Sequence, residues 1–346
     1  MRTTSEYCAV GHPDRTCDYI SSYILDRYME RDPKTRYAVE VQMKDNFVTL
    51  GGEVTSKARF TKAERAEFVR QAVREVGYTA EYAKTWGEDN VPNADALKVT
   101  EHLSEQSPDI AQGVDADGWG DQGIFWGMAV RSPKTGNMPL DHYIARRIGE
   151  RLVEERMGGI DVKTQVETTD GRVSSVIVAV PCFKRDLSYL MEDIPPLVKG
   201  VVGKNVPSLI VNGTGAYIRH GSMGDCGTTG RKLVVDFYGG NCRIGGGAVF
   251  GKDPSKSDVA LNCYARYLAR KYMEEHGNQA TRYCSIAGCI GKPEIRVVIY
   301  DEHNKQLDTW TESKRPDEII DLMKLREPKW FSRCWYGLFG NSNDSI

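Results

Sequence analysis

The stretch Gly245-Gly246-Gly247-Ala248-Val249-Phe250-Gly251-Lys252-Asp253-Pro254-Ser255-Lys256-Ser257-Asp258 constrains this chain more than any other. Its five small or glycine positions let backbone N–H groups approach an anion closely. Lys252 and Lys256 add point charges, and Asp253 and Asp258 are carboxylates able to hold a metal. This is the chemistry of a metal-bound polyphosphate. Val259, Cys263, Tyr264, Tyr267 and Leu268 follow at helical spacing, so a helix runs from Lys256 to His276 with Asp258 in its first turn. Gly246 to Lys252 also has the G-x-x-x-x-G-K spacing of a Walker A loop, but Asp253 stands where Ser or Thr should reach the magnesium. Gly239 to Ile244 separates the glycines from the strand-like Leu233 to Phe237, whereas a Walker A loop springs directly from its strand. A P-loop NTPase is therefore disfavoured, and a glycine-rich turn before an ordinary helix is the plain alternative.

In chain order, Gly11-His12-Pro13-Asp14 precedes a helix over Cys17 to Arg31, read from Ile20, Tyr23, Ile24 and Tyr28 and stopped by Pro33. His12 and Asp14 thus sit at a helix entrance, where the positive helix end favours an anion; a lone His-x-Asp is otherwise a polar cap. Val39, Val41 and Met43 alternate with Glu40 and Gln42, and Phe47 to Leu50 lead into Gly51-Gly52-Glu53, which predicts a hairpin. Thr61 to Glu64 is a capping box for a helix ended by Gly77, with Phe68, Val69, Ala72, Val73 and Val76 as its apolar stripe. Thr79 to Glu101 has only a weak pattern and reads as loop and short helix. Gln106 to Gly123 crowds glycines, acids and a proline in the manner of a mobile surface loop that delivers side chains to a site, or of a linker.

Leu140, Ile144, Ile148 and Leu152 mark a further helix closed by Gly158-Gly159, and Lys163 to Glu167 pairs with Arg172 to Val180 about Asp170-Gly171. Met223-Gly224-Asp225-Cys226-Gly227 echoes Gly120-Asp121-Gln122-Gly123 and hints at an internal repeat. Arg231 and Lys232 lie before the strand-like run and, with Lys252 and Lys256, favour a polyanionic small ligand. The tail alternates strands over Tyr283 to Ile290 and Arg296 to Tyr300 with a helix near Pro316 to Leu325.

A net charge of −2 over 346 residues gives no global pull toward nucleic acid or membrane, and 40% apolar content supports two or three subdomains. The nine scattered cysteines contain no C-x-x-C pair, which fits reduced thiols and a cytoplasmic protein. No run approaches a membrane span, and Met1 to Asp14 lacks the apolar core of a signal peptide.

From about Ser5 to Tyr300, and more faintly to Phe339-Gly340, the chain resembles the S-adenosylmethionine synthetases. The resemblance rests on Gly11 to Asp14, Gly51 to Glu53, Gln106 to Gly113, Gly120 to Gly123, Met223 to Lys232, Tyr238 to Gly240 and the glycine loop, in the family's order. It implies an α+β fold of three similar sheet-and-helix subdomains about a pseudo-threefold axis, near residues 1–109, 119–218 and 219–346 and structurally interleaved. It implies a homodimer with active sites between the chains, or a dimer of dimers. The implied substrates are ATP and L-methionine, with two magnesium ions and potassium as cofactors.

By the same resemblance, His12 lies beside the breaking C–O bond, and Lys163, Arg231, Lys232, Lys252 and Lys256 hold the triphosphate. Asp14 and Asp258 bind magnesium and Glu40 helps bind potassium. Glu53, Gln106 and Asp225 hold the methionine head group, Asp121 and Tyr217 the adenosine, and Ile290 borders the sulfur. Glu6 and Asp109 match further site positions. The chain departs from the family's pattern at Ala216 for Arg, Phe250 for Ser, Val10 for Glu and Arg15 for Lys, in a shorter loop from Val114 to Gly120 and in a trimmed tail. A catalytically weak relative that binds or regulates another synthetase is the alternative, and it would be expected to have lost some of these cations or acids.

Overall fold

The computed structural model describes residues 2–105, 118–276 and 280–340. The N-terminal third contains β1 (Arg2–Cys8), α1 (Pro13–Arg31), β2 (Arg36–Lys44), β3 (Phe47–Thr55), α2 (Lys62–Val76), α3 (Ala80–Trp86) and β4 (Lys98–Ser104). The middle contains β5 (Gly123–Ala129), α4 (Leu140–Glu154), β6 (Lys163–Thr169), β7 (Arg172–Ala179), α5 (Leu187–Val202) and β8 (Ser208–Val211). Then come β9 (Gly227–Thr228), α6 (Leu233–Asp236), α7 (Ser257–Glu275), β10 (Arg282–Gly288), β11 (Glu294–Tyr300), β12 (Gln306–Ser313), α8 (Pro316–Leu322) and α9 (Trp330–Tyr336).

The strands form three four-stranded sheets, ordered β1-β6-β7-β8, β12-β11-β10-β5 and β4-β3-β2-β9. Each sheet carries one long helix: α4 on β1 and β6, α7 on β5 and β10, and α1 on β2 and β9. Every sheet draws strands from separated parts of the chain, so the three sheet-and-helix units interleave in sequence. The three long helices share a further feature, an aspartate at the second helical position: Asp14, Asp141 and Asp258. Gly123 and Gly227, the ends of the two echoing glycine-acid motifs, each open a strand.

Local rules account for most boundaries. Thr61 accepts from Glu64 N at 3.2 Å while Glu64 accepts from Thr61 N at 2.7 Å, and Gly77 closes α2 in the left-handed region. Asp170 and Gly171 both have positive φ in the β6–β7 turn. α4 stops at Glu154, one turn short of Gly158.

One expected strand is a helix, and two strands arise where none is expected, each for a physical reason. Leu233 to Phe237 is not a strand but the short helix α6. Its β-branched preference yields to tertiary partners: the Asp236 carboxylate is drawn to Arg15, and Val235 is buried with its carbonyl 2.9 Å from His142 Nε2. β4 begins in the weakly patterned segment and exists because it pairs in parallel with β3. β12, mostly exposed, is an edge strand beside β11, so it needs no apolar face that a sequence would show.

One large apolar cluster joins α1, α2 and α7 to the β2- and β10-containing sheets, and a smaller one lies beneath β1-β6-β7-β8 with α4 and α5. None of the nine cysteines, all among the described residues, forms a disulfide. No helix among the described residues is long and apolar enough to cross a membrane.

Candidate active site

Two constellations of charged residues emerge, held by different sheets. The first gathers where β1 and β6 meet the start of α1. His12 is the N-cap of α1, with its Nδ1 accepting from Asp14 N at 3.2 Å, and Thr16 Oγ1 fixes the entering chain by donating to Val10 O at 2.8 Å. The bond from Asp14 N to Nδ1 places the imidazole proton on Nε2. Burial, reinforced by the nearby Lys232 ammonium and opposed by Asp14, lowers the His12 pKa to about 3, so the ring is neutral at pH 7.

Asp14 is 1% exposed. Its Oδ1 accepts from Thr228 N at 2.9 Å and lies 3.5 Å from Arg231 Nε, while Oδ2 is 2.5 Å from Lys232 Nζ. Burial alone would raise this carboxyl; the Lys232 and Thr228 hydrogen bonds outweigh it and hold it below its ordinary value. Lys163 opens β6 opposite Cys8, and its Nζ is 3.7 Å from Glu6 Oε2 on β1. Asp225 is exposed just before β9, its Oδ1 capped by Cys226 N at 2.8 Å.

Tyr217 belongs to the same region, its hydroxyl donating to Asp161 O at 3.4 Å. Asp161 itself escaped the sequence reading, where only its place two residues before Lys163 could have flagged it. Its carboxylate accepts from Gly221 N at 2.9 Å, and burial pushes its pKa to about 7 against that bond and the pull of Lys163.

The second constellation lies against the β5–β10 sheet. Asp258, in the first turn of α7, accepts from Gly247 N at 2.7 Å through Oδ1, and its Oδ2 is 2.5 Å from Lys252 Nζ. Gly246 has φ +74°, and a Cβ there would lie 2.8 Å from Phe125 Cε1 and 2.9 Å from Asp258 Oδ1, so the loop requires glycine. Asn262, also missed from sequence, donates to Gly245 O at 3.0 Å and to Asp258 O at 2.8 Å while accepting from Trp126 N at 3.2 Å. One amide therefore ties loop, helix and strand together.

Lys256 caps α7 through its backbone, Asp121 is exposed before β5, and the exposed Ile290 bridges to Trp119 just past β10. Asp253 is not a metal ligand. Its oxygens accept from Tyr37 N and Ser255 N, each at 2.8 Å, and it is 2% exposed, so it fastens the loop to β2.

Glu40 and Glu53 are exposed on one face of the β2–β3 hairpin: Glu53 stands opposite Ala38, which bridges to Lys252, and Glu40 accepts from the hydroxyl of Thr229, the neighbour of the Thr228 that holds Asp14. Gln106 and Asp109 fall outside the described residues. Among the described residues, no hydrogen bond or ion pair joins the cations of one constellation to those of the other.

Two departures from the family pattern touch each other. Arg15 binds the Asp236 carboxylate, lies 3.3 Å from Asp18 Oδ2, donates to Cys334 O at 2.6 Å, and sits 5.2 Å over the ring of buried Phe250. Burial and the neighbouring carboxylate push Asp18 up, against the guanidinium between the two acids. Arg15 thus links α1 to α6, which follows Lys232 directly, and to the C-terminal helix.

The residues fit magnesium. Asp14 and Asp258 each offer one oxygen that is not tied to a backbone N–H. Among the described residues no group of three or more acids, histidines or cysteines converges as a complete cage, which suits an ion that takes its other ligands from phosphate and water.

Comparison with known proteins gives the family of the chain. Residues 1–108 match the N-terminal domain of the S-adenosylmethionine synthetases and residues 219–345 their C-terminal domain. An S-adenosylmethionine synthase of Brachyspira hyodysenteriae is 33% identical over 97% of this chain and 92% of its own. One from Wolinella succinogenes is 34% identical over the same shares. A solved structure described as an unusual S-adenosylmethionine synthetase from Campylobacter jejuni superimposes with a TM-score of 0.87 at 27% identity, covering 99% of this chain and 96% of that one.

Proposed function

Because this chain belongs to the S-adenosylmethionine synthetase family, we propose that it joins L-methionine to ATP, the sulfur attacking C5′ and the released triphosphate being hydrolysed to pyrophosphate and phosphate. The observation that carries this reading is the pairing of one buried neutral histidine with five cations in two groups. A neutral sulfur needs no general base. The barrier lies in the charge that gathers on the departing triphosphate, which preorganised donors must meet.

His12 suits the breaking C–O bond because its tautomer leaves Nε2–H free to donate and its burial prevents it from competing as a cation. Lys163, Arg231 and Lys232 would grip the triphosphate from one side, and Lys252 and Lys256 from the other. Asp14 and Asp258 would hold the two magnesium ions, which supply Lewis-acid neutralisation of phosphate charge. Tyr217 and Asp121 are assigned to the adenosine, with Asp161 as a buried partner on the Tyr217 side. Glu53, Gln106 and Asp225 are assigned to the methionine head group, Ile290 to the sulfur, and Glu40 to potassium. Glu6 would hold Lys163 in place, and Asp109 is kept as a further site position.

One chain presents two separate half-sites, which supports a homodimer in which the first constellation of one copy faces the second of its partner. Incubation with ATP, methionine, Mg²⁺ and K⁺ tests the reading. S-adenosylmethionine with phosphate and pyrophosphate is the expected outcome; ADP and phosphate without S-adenosylmethionine would overturn it.

A further inference from the structure

We propose that Lys232 and Lys252 are internal counter-ions that keep magnesium out until a polyphosphate arrives, so that metal and polyphosphate enter this site together. The inference rests on the assignment of Asp14 and Asp258 to magnesium made above and adds the order in which the site fills.

Both aspartates are held in the same way. One oxygen accepts from a backbone N–H, Thr228 for Asp14 and Gly247 for Asp258, and the other lies 2.5 Å from a lysine ammonium. The backbone bond fixes the carboxylate; the lysine covers the one oxygen left to face a ligand. Asp141, at the same position of the third long helix, provides an internal control. Its carboxylate is closed by the neutral Ser5 hydroxyl at 2.9 Å and the Asn241 amide at 3.0 Å, with no ion pair among the described residues. A lysine is therefore not what this helix start requires for folding. It stands only at the two aspartates whose surroundings are rich in further cations.

Lysine is suited to leaving: a compact charge on a flexible stem, held here at side-chain exposures of 15% for Lys232 and 22% for Lys252. Bare magnesium cannot easily take its place. Without ligand Asp14 already has Lys232 Nζ at 2.5 Å and Arg231 Nε at 3.5 Å, and Asp258 has Lys252 Nζ at 2.5 Å, so cations neutralise each metal-binding carboxylate before a metal arrives. A dication approaching either aspartate meets an ammonium at contact distance and finds a single protein oxygen, already occupied. A polyphosphate reverses both conditions. Its oxygens draw the ammonium groups away, uncover Oδ2 of each aspartate, and supply the remaining ligands that magnesium needs. Each ligand thus raises the affinity of the other.

Manganese binding to the full-length protein, followed by the EPR signal of free Mn²⁺ with inorganic tripolyphosphate as the second ligand, tests this without any turnover. Wild type should bind Mn²⁺ weakly alone and at least about fivefold more tightly once tripolyphosphate is bound, the lower end of ordinary coupling between sites. Lys252→Met should bind Mn²⁺ alone at least about fivefold more tightly than wild type and gain correspondingly less from tripolyphosphate. Lys232→Met should do the same through Asp14, which keeps the idea testable if one variant does not fold. Lys256→Met removes an equal charge from the same loop without touching Asp258, so its effect must be smaller. Equal effects of Lys252→Met and Lys256→Met, or no gain in metal affinity from Lys252→Met and Lys232→Met, overturn the counter-ion role while leaving the site assignment intact. If Asp258→Asn does not weaken Mn²⁺ binding in the presence of tripolyphosphate, the site assignment falls, and this inference with it.

Discussion

Gly247→Ala probes whether the inner face of the glycine loop is the face that meets the triphosphate. An added Cβ at Gly247 would stand 3.1 Å from both Asp258 Oδ2 and Lys252 Nζ. Both atoms are the free ends of partly exposed side chains, so they can yield by a few tenths of an ångström. The fold should therefore change by no more than about 0.5–1 kcal/mol, since a new alanine also removes freedom from the unfolded chain. Catalysis should suffer much more, because with the triphosphate bound the methyl group also takes space that the phosphate oxygens need between ammonium and carboxylate, and a displacement of the bound substrate that reaches about 1 Å costs about 10²-fold.

Gly246→Ala separates the two effects. Its φ of +74° and its approach to Phe125, whose ring is 1% exposed and cannot move aside, make that alanine strained. The backbone strain alone should lower stability by about 1–3 kcal/mol. Urea unfolding and steady-state S-adenosylmethionine formation, measured on both variants, provide the assay. A Gly247→Ala enzyme within about threefold of wild-type kcat would show that the loop does not grip the leaving group. A Gly246→Ala protein as stable as wild type would refute the loop geometry itself.

Arg15→Lys and Phe250→Ser should not be additive, because guanidinium and ring touch; a double-mutant cycle in urea should give a coupling above about 0.5 kcal/mol, and additivity would sever the two departures. His220, lowered to about 4 by burial against the pull of the Ile218 carbonyl, is neutral when folded while its unfolded form takes a proton below about 6.5. Its stability contribution is thus complete above pH 6.5 and lost as pH falls toward 4. His220→Leu should flatten that fall by about 3 kcal/mol in unfolding experiments across the window, and an unchanged slope would refute the burial argument. Asp161, raised to about 7, acts with the opposite sign: its burial costs stability as pH rises from about 4 to 7, so Asp161→Asn should remove that loss. Finally, Lys163→Met and Lys252→Met chains, each inactive alone, should recover about a quarter of wild-type activity when mixed as dimers that exchange freely, because one site in each mixed dimer is intact. Activity that stays at the level of the separate variants would place each site within one chain.

Much of this protein was legible in short stretches of its sequence. The start of α1 at His12, the Thr61–Glu64 capping box, the turn at Asp170-Gly171 and the placement of Asp258 in the first turn of α7 all follow from interactions within a few residues, which local spacing records directly. The glycines and lysines of the loop announced an anion site for the same reason. Tertiary structure alone decided where Asp236 went: Leu-Val-Val reads as strand, yet a buried guanidinium more than 200 positions away in sequence holds its end as a helical turn. It also decided that β4 and β12 are strands, since β4 offers the core only Val99 and Leu103 and β12 little beyond Trp310, and each exists through its neighbour's hydrogen bonds. It separated Asp253 from Asp258, two carboxylates alike on paper, by surrounding one with backbone N–H groups and leaving the other an oxygen to share with Lys252. The same holds for the equivalence of Asp14, Asp141 and Asp258, whose flanking residues share little. Long-range pairing leaves no period and no fixed spacing in the chain; it is set by which surfaces meet once the three sheets have closed around their helices.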